Sequence, residues 1–433
     1  MSVSGTSSLF SEDDLQPVVC KPDLQGVFSK IEMPLVPVLM HMEMRGLIID
    51  EGKLEVIAKE VAGILSTLEK NIYELAGQEF NINSSQQLAD VLYTKLFLKA
   101  TKKTKTGYST DAGTLEKLKD QHPIISLLLE YRHYDKLLST YILPLPTLIN
   151  KSTGRVHTSF NQSVASTGRL SSSNPNFQNI PIRTEMGQRI RQAFVAAPGY
   201  TLLSFDYSQI ELRLMAFLSQ DAKMLDDFAH DRDIHAATAQ RIFHLPTLDA
   251  VTSDQRRIAK AINFATMYGA GPRTLGENAG INFNDAKLFL QEYFAYYPAV
   301  KGYATGLKEL AHKNGYATTL FGRVLHLPDI SSSLPQMRAA AERVAVNMPL
   351  QGTAADIMKL AMIAVHAFVE TLVPDVYIIL QVHDELVLEV REEKVGEIAL
   401  KVRELMEKVE GVAVRLKVDG KVGKTWGEMV ELV

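Results

Sequence analysis

Two carboxylates stand at positions where their charge needs compensation. Asp206 follows the run Leu202-Leu203-Ser204-Phe205, and Asp384 follows Ile378-Ile379-Leu380-Gln381-Val382. A carboxylate at the edge of an apolar strand borders a low-dielectric core and requires a cation or hydrogen-bond donors beside it. A lone strand-end Asp is commonly satisfied by backbone N–H groups in a turn. Two such sites, one with Glu385 adjacent, shift the balance toward a divalent cation. Hard oxygen donors with no neighbouring Cys and few His point to Mg²⁺ rather than zinc. A pair of ions roughly 3.5–4 Å apart is a standard device for in-line phosphoryl transfer.

Between the carboxylates lies a second constellation. Arg256, Lys260, Phe264 and Tyr268 recur every four residues, so on a helix they drift only about 40° per step around one face. Two cations followed by two rings suit a nucleoside triphosphate, with the charges on the phosphates and a ring against sugar and base. The plainer alternative is a rim of Arg and Lys snorkelling above a buried aromatic pair. Asn263 and Gly269, beside the rings, weigh against it.

The elements that must hold these residues are partly legible. Thr201–Phe205 reads as a short strand ending on Asp206. Val376–Val382 and Leu386–Val390 flank a tight His383-Asp384-Glu385 turn, the pattern of a hairpin. Ser253-Asp254 caps a helix predicted to run to about Tyr268. Upstream, Leu54, Ile57, Ala58, Val61, Ile64, Leu65, Leu68, Ile72 and Leu75 keep a 3/4 spacing that predicts a long amphipathic helix. Ser84 and Gln87 form a capping-box pattern, and a further helix is expected from Ile124 to about Tyr141. Lys95–Lys119 holds seven Lys against Asp111 and Glu116, and Lys151–Ala193 holds Lys151, Arg155, Arg169, Arg183, Arg189 and Arg191 against Glu185. Each has a net charge of +5, suited to a phosphate backbone or, more plainly, to solvent.

The whole chain bounds these readings. Its 433 residues are long enough for two or three subdomains, and 46 Lys+Arg against 50 Asp+Glu leave a net charge of −4. That balance excludes a uniformly basic nucleic-acid binder but not local patches. A single cysteine, Cys20, excludes an internal disulfide or a Cys-based zinc site. The apolar runs look too short to span a bilayer, and Met1–Lys30 has neither a signal-peptide core nor an Arg-rich transit character. A soluble protein of a reducing compartment is expected.

Five motifs together resemble those of the family A DNA polymerases, the bacterial DNA polymerase I type. Asp206-Tyr207-Ser208-Gln209-Ile210-Glu211-Leu212-Arg213 is similar to motif A. Arg256-Arg257-Ile258-Ala259-Lys260, with Asn263-Phe264 and Tyr268-Gly269, is similar to motif B, and Gln381-Val382-His383-Asp384-Glu385 to motif C. Thr167-Gly168-Arg169-Leu170-Ser171-Ser172 with Asn176-Phe177-Gln178-Asn179-Ile180-Pro181 resembles the primer–template segment. Gln351-Gly352-Thr353-Ala354-Ala355-Asp356 resembles the helix after motif B. The motifs follow the family's order, and the likeness runs from about Ile31 onward.

The resemblance implies an α+β right-hand fold, with an antiparallel palm sheet, helical fingers and a helical thumb. It divides the chain into a tail or severed linker at 1–30, a thumb with lead-in helix at 31–150, palm and primer–template segment at 151–221, fingers at 222–330 and palm at 331–433. It implies template-directed addition of deoxynucleotides to a primer 3′-OH, with release of pyrophosphate. Two Mg²⁺ ions, or Mn²⁺ in their place, would be held by Asp206, Asp384 and the Tyr207 carbonyl, with Glu385 tuning the site. Arg256, Lys260 and His235 would take the phosphates. Gln209 would join the nucleotide site, and Glu211 would fill the space of a ribose 2′-OH. Phe264 in place of Tyr implies a preference against dideoxynucleotides, and Tyr268 would guard the template base. Arg169, Asn179, Gln351 and His383 would hold the duplex, testing pair shape through minor-groove acceptors without reading sequence.

Two departures carry expectations of their own. Ala265 stands where many relatives have Gly, and Leu218-Ser219-Gln220-Asp221 differs slightly from the commonest form. Thirty residues before Ile31 are too few for a nuclease domain, so no 3′→5′ proofreading is expected within this chain. The expected partners are primer–template DNA and dNTPs, with no membrane, acting as a monomer. The expected setting is a bacterial or phage-like cytoplasm, an organelle not being excluded. The alternatives are a catalytically silent primer–template-binding module, a polymerase that accepts an RNA template, an RNA polymerase and a metal-dependent nuclease. Glu211 and Phe264 oppose the RNA polymerase, and the presence of both Asp206 and Asp384 opposes the silent module. A nuclease would not need the Arg256–Tyr268 face.

Overall fold

Tyr200 through Phe205 are buried without interruption, then Asp206 alone is open and Tyr207 is buried again. A strand apolar on both faces needs covering layers and a neighbour on each edge. The computed structural model, which describes residues 18, 20–100, 102–104, 107–182 and 184–432, supplies them. Glu385–Arg391 pairs with Tyr200–Tyr207 on one edge and Val418–Thr425 on the other, both antiparallel. The sheet continues to Val376–Val382 beyond the first and to Phe194–Val195 and Ile48–Ile49 beyond the second. Glu428–Glu431 adds a seventh strand against Val418–Thr425. The central strand runs on through Asp206 because its ladder does: Glu385 and Asp419 are that residue's direct partners.

The fold is α+β. Helix Val395–Glu407 packs on the three central strands, and the Tyr207 hydroxyl donates to the Met406 carbonyl at 2.6 Å. Helix Pro335–Glu370 packs on strand Val376–Val382, on helix Met33–Arg45 and on helix Ile210–Ser219. At 36 residues it is the one helix among the described residues long and apolar enough to cross a membrane. This departs from the expectation that no apolar run reaches that length. Its most apolar window is 67% buried inside the protein, and it carries the buried Asp356 and Lys359; it is a core helix.

Between residues 222 and 314 the chain is helical. Ile234–Ile242 lies against Ser253–Met267, which packs in turn on Pro272–Ala279 and Phe283–Tyr296. The cap of Ser253–Met267 is Thr252, one residue before the expected Ser253. Its hydroxyl accepts from the Gln255 N–H while the Gln255 side chain accepts from the Thr252 N–H, a reciprocal box that gives the earlier residue the advantage.

Residues 51–142 form a helical lobe whose base joins the main core through Leu54, Ile57, Val61, Leu137 and Ile142. Glu51–Ala76 is capped by the Asp50 side chain and ends on Gly77 at φ +69°. Ile124–Leu137 packs beside it, followed by a π turn to Ile142. Ser84 caps Ser85–Ala89, but Gln87 reaches back to the Asn81 N–H instead of closing a box. The tip has its own core, from Ile72 and Phe80 to Leu115 and Leu128. Lys103–Thr104 and Gly107–Tyr108 form a short hairpin there.

The expected tail at 1–30 is corrected over its described part. The Asp23 side chain caps a helical stretch starting at Leu24, and Val27 and Ile31 are buried. Their spacing after an N-cap is a helix signal that the polar surroundings obscure. Val18 N–H donates to the Leu218 carbonyl, and Asp23 N–H to that of Gly322. Residues 1–17 lie outside the described residues.

Candidate active site

Three carboxylates stand in line across the sheet. Asp206 faces Glu385 on one neighbouring strand and Asp419 on the other, an arrangement that repels itself. The Tyr207 N–H donates to the Asp384 carbonyl at 3.1 Å, which brings the His383-Asp384 turn to the end of the central strand. The turn has two residues, His383 at φ +53° and Asp384, because Glu385 already pairs with Val382 in the strand.

Burial and then the charges of Glu385 and Asp384 push the Asp206 carboxyl up to about 7. Asp206 is itself open to solvent, so repulsion carries more of that shift than burial does. Asp384 is also raised, chiefly by burial, with Arg169 and His383 opposing. Glu385 is tethered differently. It accepts from the Ser204 hydroxyl at 2.5 Å and the Trp426 indole N–H at 3.1 Å. Among the described residues, no side chain pairs with or donates to the Asp206 or Asp384 carboxylate. Two crowded, unpartnered carboxylates with all-oxygen donors fit a hard divalent cation.

The four-residue ladder forms as its spacing requires. Arg256 and Lys260 are exposed on helix Ser253–Met267, while Phe264 and Tyr268 are half-buried. The two rings stack with centroids 6.1 Å apart, and Lys260 lies 5.9 Å from the Phe264 centroid. His235 joins the same face, its ring 6.1 Å from Phe264. It is buried, and burial lowers its pKa to about 4, with Arg256 and Lys260 adding to the effect. Asn263 Nδ2 donates to His235 Nδ1 at 3.0 Å, which leaves Nε2 to carry the proton of the neutral ring. Arg256 is held at 2.7 Å by Asp233, the N-cap of the His235 helix, a partner with no sign in the local sequence pattern.

Glu211 sits in the first turn of Ile210–Ser219 with 8% of its surface exposed. It accepts from the Tyr268 hydroxyl at 2.9 Å and pairs with Arg169 at 2.5 Å. Burial raises its pKa against the pull of Arg169. Burial and Glu211 push the Tyr268 hydroxyl up to about 12, and Gln351 faces the same group. Three motifs distant in the chain thus converge on one carboxylate. Gln209 precedes the helix at φ +56°, turning the chain sharply after the strand.

The remaining expected residues are more loosely placed. Arg169, His383 and Asp384 line one small cleft with Gln381, Ala355 and Lys359. Asn179 is exposed at the end of the turn Phe177–Asn179. Its neighbour Gln178 reaches the side chain and carbonyl of Gln381, at 3.2 and 3.3 Å. Gln178, Gln381 and Asp419 were not singled out from sequence; the first two stood within matched motifs, whereas Asp419 needed the strand register.

Most of the basic charge in 151–193 is spent inside the protein. Arg155 is buried and shares Glu389 with Arg45. Arg189 pairs with Glu60 at 2.6 Å, and Arg191 stacks 3.7 Å from the Trp426 centroid. Arg183 lies outside the described residues. In 95–119, Lys102 and Lys119 pair with Asp111 and Glu116, while Lys99, Lys103 and Lys117 are exposed.

Known proteins with this arrangement are numerous. The family model for DNA polymerase family A matches residues 51–428. DNA polymerase I of Pseudomonas aeruginosa is 49% identical over 409 residues, covering 94% of this chain and 45% of that protein. The thermostable DNA polymerase I of Thermus aquaticus is 46% identical over 405 residues, covering 93% of this chain and 48% of that protein. The chain therefore spans about half the length of these curated relatives. A solved structure, the POL domain of Pol1 from M. smegmatis in complex with DNA primer-template and dNTP, superposes with a TM-score of 0.87 at 41% identity. It covers 93% of this chain and 71% of that one. With the convergence of motifs on Asp206, Asp384 and Glu211, a match over most of its length places this chain in DNA polymerase family A.

Proposed function

We propose that this chain extends a primer 3′-OH on a DNA template by adding deoxynucleotides and releasing pyrophosphate. The observation that carries the reading is a pair of unpartnered, charge-crowded carboxylates, Asp206 and Asp384, in a fold that also presents the exposed cations Arg256 and Lys260. In this reading residues 31–150 serve as thumb, 222–330 as fingers and the two remaining stretches, 151–221 and 331–433, as palm. The bacterial relatives support a cytoplasmic setting.

Asp206, Asp384 and the Tyr207 carbonyl would hold two Mg²⁺ ions, with Mn²⁺ as a substitute. Bound there, the ions would supply Lewis acidity to the primer hydroxyl and counter-charge at the α-phosphate. Glu385, held by Ser204 and Trp426, keeps negative charge beside Asp206 without itself being free to move. Arg256 and Lys260 bind the β- and γ-phosphates, and neutral His235 donates from Nε2 to a phosphate oxygen. Arg256 exchanges Asp233 for phosphate when the nucleotide arrives. Phe264 packs against the sugar and base. Tyr268, tied to Glu211, holds the template-base position closed until a pair forms.

Glu211 supplies the sugar choice. Its carboxylate is fixed by Arg169 and Tyr268, so a 2′-OH meets a group that cannot withdraw. A filled pocket penalises one added oxygen far more than an open one does. Arg169, Gln351, His383 and Asn179 hold the duplex by groups common to all base pairs.

Primer extension on a labelled DNA primer–template with Mg²⁺ tests the reading. Growth with dNTPs and none with rNTPs is expected, and Asp384→Ala should abolish growth while duplex binding persists. Tight duplex binding with no extension by the native chain would mean a silent binding module instead.

A further inference from the structure

Away from the cleft, helix Met33–Arg45 crosses the last turns of Pro335–Glu370 beside strand Val376–Val382. His41 Nδ1 and His366 Nε2 lie 2.7 Å apart, with the rings stacked at a centroid distance of 5.0 Å. Glu370, one helical turn after His366, brings a carboxylate oxygen into the same group, all three ligand atoms lying within 4.8 Å of one another. The floor is apolar, lined by Val38, Met42, Val369 and Val376.

From this geometry we propose that His41, His366 and Glu370 form a binding site for a transition-metal cation of the Zn²⁺ type, separate from the catalytic carboxylates. Two imidazoles and one carboxylate are a borderline-soft donor set, which Mg²⁺ does not select and Zn²⁺ does. The i, i+4 spacing of His366 and Glu370 puts both on one helix face. A tetrahedral zinc with Zn–N bonds near 2.0–2.1 Å needs its nitrogens about 3.3 Å apart, so the two rings must separate by roughly 0.6 Å. Exposed His41 can give that by side-chain rotation. The fourth position faces solvent and takes water.

Arg45 lines the same pocket as the two rings. Its charge is already taken by Glu389, and its guanidinium lies 3.7 Å from the Tyr377 centroid. The alternative is a bare His–His hydrogen bond, in which one ring donates to the other and no metal binds. A bound ion would cross-link helix Met33–Arg45 to helix Pro335–Glu370.

Chelator-stripped full-length chain titrated with Zn²⁺ in millimolar Mg²⁺ tests the site, with the Mg²⁺ there to occupy the catalytic carboxylates. One equivalent should bind with a micromolar or tighter Kd. Saturating zinc should raise Tm by about 2–5 °C. His366→Gln and His41→Gln should each weaken binding by about tenfold or more, remove the visible absorption of a Co²⁺-substituted sample, and leave Mg²⁺-supported primer extension unchanged. No stoichiometric zinc in the native chain would leave only the hydrogen-bonded pair and overturn the proposal. An unaltered Kd in both variants would overturn it as well, by placing the zinc elsewhere.

Discussion

Glu211 shows how much one side chain can be asked to do. It is nearly buried, negative, and fixed from two sides by groups that motif spacing alone does not bring together. Glu211→Ala opens the space a 2′-OH would enter, and it also leaves Arg169 and Tyr268 without their acceptor. Ribonucleotide discrimination, read as the ratio of kcat/KM for dNTP and rNTP, should fall by about 10²-fold or more; an unchanged ratio would remove the residue from sugar selection. His235 gives a pH prediction. Unfolded, its imidazole protonates as pH falls through about 6.5; folded, it resists until about 4. The unfolded state therefore holds more protons in that window, and stability present above 6.5 is lost as pH falls toward 4. Melting temperature against pH should slope less steeply in His235→Gln. At this scale the chemistry was largely legible, since Asp206, Asp384, Arg256, Lys260, Phe264 and Tyr268 announce themselves by type and interval. Asp233 and Asp419 do not, because their partners lie across helix or strand contacts that no local window contains.

Among the elements, the junction of residues 23–32 with helix Pro335–Glu370 departs most from the reading of the sequence. Glu32 pairs with the buried Lys359 at 2.7 Å and also with Arg323, which holds Asp356 at 2.7 Å. Asp356 in turn accepts from the Thr319 hydroxyl. Glu32, just past the stretch that looks like a tail, is thus the counter-charge for a lysine 99% hidden from solvent. Glu32→Ala strands that lysine and should cost about 2–4 kcal/mol, seen as a lower Tm with little change in KM for dNTP. An unchanged Tm would show that Lys359 has another route to compensation. The same reasoning explains the basic stretch at 151–193. Composition counts its charges, but only the fold shows that Arg155 and Arg189 answer Glu389 and Glu60. The strands around Asp206 and Asp384 and the helix Ser253–Met267 were readable to within a residue or two because apolar runs and caps are local signals, whereas strand Val418–Thr425 was not. Which carboxylate each arginine serves depends on separations of more than a hundred residues.

The whole molecule is mildly acidic, so the proposed hold on DNA would depend on where positive charge is left unspent. Lys99, Lys103 and Lys117 on the tip of the 51–142 lobe are exposed. Replacing all three by Gln should flatten the salt dependence of duplex binding by up to about 0.9 log unit per lost phosphate contact; an unchanged slope would return that tip to solvent. The tip of that lobe encloses a core drawn from residues 72–128 alone, while its base, from Leu54 and Val61 to Leu137 and Ile142, belongs to the main core. The seven-stranded sheet is built the other way. Its central strand, Tyr200–Tyr207, is flanked by strands from residues 385–391 and 418–425. During synthesis the tip of the lobe can close as soon as its own residues leave the ribosome, whereas Asp206 waits some two hundred residues for both its neighbours. Long-range pairing of this kind is slow and leaves apolar edges uncovered meanwhile. The tip of the lobe is therefore finished early and the strand that carries Asp206 last, so that, on the proposed function, an unfinished chain would have something with which to touch a template and nothing with which to copy it.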